Sequence, residues 1–408
     1  MIMDPLDIIL HKENIAPFYQ PVISCDEHII AGYEVLGHLK TDKDWVSLGS
    51  FFRDGNVPAE YKWEIDEQIY NQAFAHYLTQ EEQPFLFLNV DANVLDELDN
   101  HELLLNLLFQ YEKQGLPLKK IVLEFREHDF QGDIESLSHL MKFFTTNGIQ
   151  VAIDDLGKFG SNLDRLSKLE PNMMKIDLEG IGNHESAFDY RNVLEALAIF
   201  SRKIGATLLF KGIEDLHHLH IAWGHGGRFI EGGYLHKPGL SWISRDMVKQ
   251  NLDEKVRSFI HRANSLLQEQ IAFVLGLDEQ LANLGKSLTR YKSDDEEAKA
   301  IAEQLSHMVF RVYMCERFGY QLTSNWKKDK EGNWYEETIA KGKNWSWRSY
   351  FLENVAQMES RKTGILSDVY RDIETNELVR TYSYPLSGNR FVFLDIDPSF
   401  LFEREWLL

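Results

Sequence analysis

Residues 150–157, Gln-Val-Ala-Ile-Asp-Asp-Leu-Gly, are an apolar run that ends in two adjacent carboxylates, Asp154 and Asp155. The run reads as a β-strand, and Gly157 suits a strand end that faces a mouth. The pattern recurs along the first 235 residues: AGYEVLG carries Glu34, FLFLNV Asn89, KIVLEF Glu124, TLLFKGIE Glu214 and RFIEGGY Glu231, each at or just past the C-terminal end of a strand-like run. A further run, NMMKIDL, carries Lys175 and Asp177. The stretches NHELLLNLLFQYEKQGL, DIESLSHLMKFFTTNG and FDYRNVLEALAIFSRKIG read as amphipathic helices that precede strand-like runs. Two of them end in Gly148 and Gly205, plausible positions for the glycine that follows a helix. Parallel strands that alternate with helices close into a TIM-type (β/α)8 barrel, which gathers its C-terminal strand ends at one mouth. A ring of carboxylates with a lysine at that mouth can hold divalent metal and an anionic substrate. FYQPVIS and HIIAGYEVLG flank the predicted hairpin turn Cys25-Asp26-Glu27, so the first strand is expected to run antiparallel to the second.

Outward from the barrel, composition divides the chain into three expected parts: a barrel over 1–245, a helical linker over 246–306, and an α+β domain over 307–408. The linker is polar and nearly free of strand signals, and reads as one long helix or two, with the acids of SDDEE at a helix N-terminus. The last part is aromatic-rich and strand-like, with turns at DKEGN, ETNE and SGN, as in an antiparallel sheet. The formal net charge of −21 argues against a polymeric nucleic acid or a membrane surface as partner. Two cysteines, Cys25 and Cys315, fit a reducing cytosol. The N-terminus lacks the basic segment of a signal peptide, and no apolar run reaches the roughly 18 residues of a membrane span, so a cytoplasmic protein is expected.

The strings FYQP (18–21), YEVLG (33–37), LNV (88–90), LEFRE (123–127), DDLG (154–157), KID (175–177) and GIE (212–214) occur in this order. Together they resemble the ordered motifs of the EAL-domain family, the cyclic di-GMP phosphodiesterases, over about residues 15–240. The aromatic tail, with NWSWRSYF (344–351) and DVYRDIETNELVRTYSYPL (368–386), is similar to the C-terminal domain of YkuI-type EAL proteins, a domain related to PAS and Cache sensors. The resemblance implies metal-assisted hydrolysis of cyclic di-GMP to linear pGpG. It implies Glu34, Asn89, Glu124 and Asp154 as ligands of a first ion, with Asp155 a ligand of a second that shares Asp154. Mg²⁺ or Mn²⁺ would serve, one ion or two, whereas Ca²⁺ would bind without supporting chemistry. In the same reading Lys175 orients water or phosphate, Glu214 is the candidate base and Glu127 anchors the loop after the fifth strand. Gln20, Leu36, His38, Asp177 and Glu231 line the substrate. A homodimer is implied, as is a partner or ligand of the tail that the sequence does not name.

Several positions depart from the family pattern. His38 stands where the family carries an arginine that meets a phosphate. Lys211 replaces the first Glu of its AEGVE string, Glu231 a Gln and Gly233 a Tyr of its QGY string. The loop 157–163, which governs dimer contacts and second-metal placement in the family, is Gly-Lys-Phe-Gly-Ser-Asn-Leu in place of GTGYSSL. A receptor that binds cyclic di-GMP without turnover is therefore the competing expectation, and an unrelated metal-binding barrel enzyme ranks last. His217, His218, His220 and His225 are expected on a solvated helix, and Cys315 in a core. Trp345, Trp347, Tyr350 and Phe351 are expected in a core rather than around a ligand.

Overall fold

The computed structural model describes residues 5–99, 101–157, 162–179, 187–288 and 291–407. The chain forms two compact units, Met1–Val256 and Arg257–Leu408. In the first, α1 (Pro5–Leu10) precedes β1 (Ile15–Ser24), β2 (Ile30–Lys40) and a short edge strand β3 (Trp45–Ser47). Then follow α2 (Gly49–Arg53), α3 (Ala59–Leu78), β4 (Phe85–Val90), α4 (Ala92–Leu98), α5 (His101–Glu112), β5 (Ile121–Phe125), α6 (Ile134–Thr146), β6 (Gln150–Leu156), α7 (Leu163–Leu169), β7 (Met173–Asp177), α8 (Ala187–Ile204), β8 (Thr207–Lys211), α9 (Leu216–Gly224) and β9 (Phe229–Ile230). Strands β2, β4, β5, β6, β7, β8 and β9 lie parallel in sequence order. β1 is antiparallel to both β2 and β9 and closes the eight-stranded ring, as the hairpin reading expected.

Local chemistry fixes the ends of the helices. The side chains of Asp91, Asp133, Asn162 and Asp215 accept from backbone N–H groups in the first turns of α4, α6, α7 and α9. Gly148 and Gly205 take positive φ just past α6 and α8, as their sequence positions suggested.

Alternation along each strand sends every second side chain into the barrel. Val22, Phe87, Val122, Ala152, Met173, Leu209 and Phe229 meet there as one buried apolar layer. Gly32 completes it, since a Cβ at this position would stand 2.8 Å from the Phe87 ring. Two residues nearer the mouth, the same strands and the residue after β9 supply Gln20, Glu34, Asn89, Glu124, Asp154, Lys175, Lys211 and Glu231. The barrel interior is thus a dry floor under a polar ring, with one member of the ring per strand.

The second unit includes most of α10 (Lys249–Leu288), then α11 (Asp294–Gln304), β10 (Val309–Glu316), β11 (Asn325–Lys328), β12 (Trp334–Glu337), α12 (Ser349–Arg361), β13 (Ile365–Leu366), β14 (Tyr370–Arg371), β15 (Leu378–Val379), β16 (Thr381–Leu386), β17 (Arg390–Ile396) and α13 (Pro398–Phe402). Six strands form a sheet in the order β12-β11-β10-β17-β16-β13. Val312, Met314, Val392 and Leu394 face Leu277 and Leu281 of α10 and Ile301 of α11. The alternate residues Cys315, Phe391 and Phe393 face Phe351, Val355 and Met358 of α12. The helical stretch read as a linker therefore contributes to this unit's core. Phe351 and Cys315 are core residues, whereas Trp347 and Tyr350 are exposed.

Candidate active site at the barrel mouth

Lys175 Nζ is fully buried and lies 2.9 Å from Glu34 Oε2, 2.7 Å from Glu124 Oε1 and 2.9 Å from Glu231 Oε1. The Phe87 ring of the apolar floor lies 5.9 Å from the same nitrogen. One ammonium cannot neutralise three carboxylates in a low-dielectric site, so their titrations separate. Burial opposes the charge of Lys175, but the surrounding carboxylates hold its ammonium protonated well above the ordinary range. Burial alone would raise the Glu34 carboxyl; Lys175 and Lys211 outweigh it and hold it at about 2. Burial and the neighbouring carboxylates push Glu124 well above the ordinary range, and push Glu231 to about 8. Asn89 fixes the orientation of Glu34 by donating from Nδ2 to Oε1 at 2.7 Å, and Tyr70 fixes the Asn89 backbone by donating to its carbonyl at 2.6 Å.

A second cation sits beside the first. Lys211 Nζ is 2.8 Å from each carboxylate oxygen of Asp154 and also pairs with Asp155. Adjacent residues of a regular strand point to opposite faces. Asp155 escapes this rule because its φ is +59° and the β6–β7 register shifts between Ile153 and Leu156. Aspartate tolerates the left-handed region, and the bulge lets both carboxylates reach one ammonium.

Two cavities open at the mouth, of about 310 and 690 Å³. Both are lined by Phe52, Arg53, Asp91, Arg126, Asp155 and Lys211. Leu36, Glu34, Asn89 and Asp154 line the first, and Asp177 the second. Sequence reasoning did not single out Arg53, Asp66, Asp91 or Arg126. Arg126 carried a signal, since it lies between Glu124 and Glu127 in LEFRE. Asp66, on α3, lines the first cavity; burial and the Asp91 carboxylate push its own carboxyl well above the ordinary range.

Other expected residues lie in different settings. Glu127 ion-pairs with Arg165 of α7, the helix that follows the 157–163 loop. Lys158, Phe159, Gly160 and Ser161 of that loop lie outside the described residues. Gln20 is buried and donates to the His236 carbonyl at 2.9 Å. His38 stacks on Phe18 at 4.1 Å, and burial lowers its pKa, so it offers no fixed positive charge near pH 7. Glu214 is exposed and accepts from Gly233 N–H at 3.0 Å; it lines neither cavity. A Cβ at residue 233 would stand 2.9 Å from Glu214 Oε2, so the missing side chain leaves room for that turn of Glu214. His217, His218 and His220 lie on α9 and His225 follows it; His218 is buried.

The donor chemistry of the ring fits a divalent ion. Glu124 Oε2 and Glu231 Oε2 are buried with no hydrogen-bond partner, which a protein interior rarely tolerates unless the atom has another role. Carboxylate and amide oxygens are the hard donors that Mg²⁺, Mn²⁺ and Ca²⁺ prefer. Among the described residues no three His, Cys, Asp or Glu side chains converge by themselves as a metal-binding group. Two lysine ammoniums stand between the acids, and Asn89 belongs to the donor set.

A family model described as "EAL domain" matches residues 5–238, more than half the chain. The chain belongs to the EAL-domain family. A second model, "EAL-domain associated signalling protein domain", matches residues 242–408. The chain is 39% identical over 411 residues to the EAL-domain-containing protein YkuI of Bacillus subtilis (strain 168), covering all of both chains. It superimposes with a TM-score of 0.94 on a crystal structure of YkuI in complex with substrate c-di-GMP and calcium, at 40% identity and full coverage of both chains. It is also 25% identical over 244 residues to the probable cyclic di-GMP phosphodiesterase PdeG of Escherichia coli (strain K12), 59% of this chain and 47% of that one. No described helix is long and apolar enough to cross a membrane.

Proposed function

We propose that this EAL protein binds cyclic di-GMP at the barrel mouth with a divalent ion and hydrolyses it to linear pGpG. The observation that carries the reading is the buried polar ring: four acids, an amide and Lys175 gathered over an apolar floor, with carboxylate oxygens left unpartnered. The full-length likeness to YkuI, solved with c-di-GMP and calcium, supplies the ligand class. Glu34, Asn89, Glu124 and Asp154 would hold the ion, Mg²⁺ or Mn²⁺ in the working enzyme. Bound there, it would polarise a phosphoryl oxygen and lower the pKa of water.

The protein's own groups do the positioning. Lys175, buried beneath the ring, keeps Glu34 ionised and oriented. Arg126 and Arg53 line both cavities and offer cations to the ligand's phosphates in place of the arginine lost at His38. Leu36, Phe52 and Ile69 give the first cavity an apolar wall suited to a guanine base. Asp177 and Gln20 complete the substrate side, and Glu127, through Arg165, positions the loop that follows β6. Glu214 must leave the Gly233 N–H to act as base. Residues 257–408 are the regulatory unit of this reading, with a homodimer as its assembly; the match to a signalling-associated family model supports the first.

Lys211 on the Asp154–Asp155 pair favours the second reading, a receptor that captures the dinucleotide without turnover. Incubation with cyclic di-GMP and Mg²⁺ or Mn²⁺, followed by anion-exchange separation, decides between them. Linear pGpG from wild type and none from Glu34→Gln supports hydrolysis. Calorimetric binding without product supports the receptor, and neither binding nor product overturns both.

A further inference from the structure

The two lysines of the polar ring divide its four acids, and Asp155 beside them, between them. Lys175 pairs with Glu34, Glu124 and Glu231, and Lys211 pairs with Asp154 and Asp155. The two halves differ in how well their oxygens are served. On the Lys175 side the acids outnumber the cation three to one, and buried oxygens of Glu124 and Glu231 lack hydrogen-bond partners. On the Lys211 side one ammonium reaches both oxygens of Asp154 and one of Asp155. Asp155 adopts a left-handed backbone, which aims its carboxylate at that ammonium. The lysine is well covered and anchored at the end of β8, a strand paired on both sides.

We propose that Lys211 is a tethered cation that closes the Asp154–Asp155 pair to a second divalent ion, so that the mouth takes one ion per chain. The proposal rests on reading the mouth as a divalent-metal, cyclic-dinucleotide site. Two carboxylates bridged by an ammonium have fewer oxygens to offer a divalent ion, and that ion would be repelled by the ammonium beside it. The Lys175 half keeps unpartnered carboxyl oxygens on Glu124 and Glu231, and so, with Asn89 and Asp154, takes the ion. The site then captures a phosphodiester through one metal and one fixed lysine charge, in place of two metals.

The test is a count of bound Mn²⁺ by electron paramagnetic resonance, on the full chain with cyclic di-GMP present. Wild type is expected to bind one ion. Lys211→Met, which removes the charge and keeps most of the stem, is expected to bind two, the second at least about tenfold tighter than any second ion on wild type. Asp155→Asn in wild type is expected to leave the count at one. It stands in as the deciding variant if Lys211→Met does not fold by circular dichroism. Two ions on wild type, one ion on a folded Lys211→Met, or loss of an ion on Asp155→Asn each overturn the proposal. Absence of any bound ion on wild type overturns the metal reading itself, a result distinct from the other three.

Discussion

Both units of the molecule bury a cation among three carboxylates, and the two clusters are finished differently. In the second unit Arg311 Nε is 2.5 Å from Asp395 Oδ2, Nη2 is 2.5 Å from Asp372 Oδ1, and Nη1 is 3.1 Å from Glu374 Oε2. The second oxygens of the two buried acids are filled: Thr381 donates to Asp395 Oδ1 at 2.6 Å and Thr375 N–H to Asp372 Oδ2 at 3.1 Å, while Lys327 shares Glu374 Oε2 with Arg311 at 2.6 Å. In the barrel, Lys175 faces three acids whose outer oxygens are partly unserved. A planar guanidinium with complete hydrogen bonding ties strands together, whereas an under-satisfied ammonium cluster stores affinity for a ligand. The first belongs to the architecture and the second to function.

Breaking each cluster should therefore give opposite results. Arg311→Met leaves the fully buried Asp395 without its cation, and should cost about 3–5 kcal/mol in denaturant unfolding of the second unit. A loss below about 1 kcal/mol would erase the contrast. Glu124→Gln should leave chelator-treated protein at least as stable as wild type, because it removes a carboxyl that burial keeps from ionising. The same change should weaken Mn²⁺ binding about 100-fold, or about 2.7 kcal/mol, by calorimetry.

Glu231→Gln sharpens the comparison through pH. The carboxyl titrates near 4.5 ordinarily and near 8 in the folded barrel, so between these values the folded chain keeps a proton that the unfolded chain has lost. Its contribution to stability is present below about pH 4.5 and is lost as pH rises through about 8. In chelator-treated protein the stability change from Glu231→Gln should be more favourable at pH 8 than near pH 5 by roughly 3 kcal/mol. Equal changes at both values would break the assignment. The smallest effect is expected from His38→Arg, which adds a cation at the position of the family arginine. It should tighten cyclic di-GMP about fivefold, or about 1 kcal/mol, more at low salt than at high.

The barrel was legible because every strand advertises its end. An apolar run followed by Glu34, Asn89, Glu124 or Asp154 shows both the strand and the side of the barrel that holds chemistry, and the closed ring bears this out. The tail was legible as an antiparallel sheet from its aromatic strands and turn residues, and the six-stranded sheet agrees. Less legible was Glu214. Its string promises a mouth residue, but the side chain turns to the Gly233 N–H, where the absence of a Cβ leaves room for it. Arg53 and Asp66 gave no sequence signal because each reaches the mouth from a helix outside the strand pattern.

Alternation of period two, read along each strand, determined by itself the dry floor, the polar ring above it and the identity of nearly every member of that ring. Tertiary structure alone decided which cation serves which acid. Lys175 and Lys211 lie 36 residues apart on neighbouring strands, yet one faces three under-satisfied carboxylates and the other closes a pair. That division follows from barrel curvature and from one left-handed residue, Asp155, and no local pattern of residues encodes either.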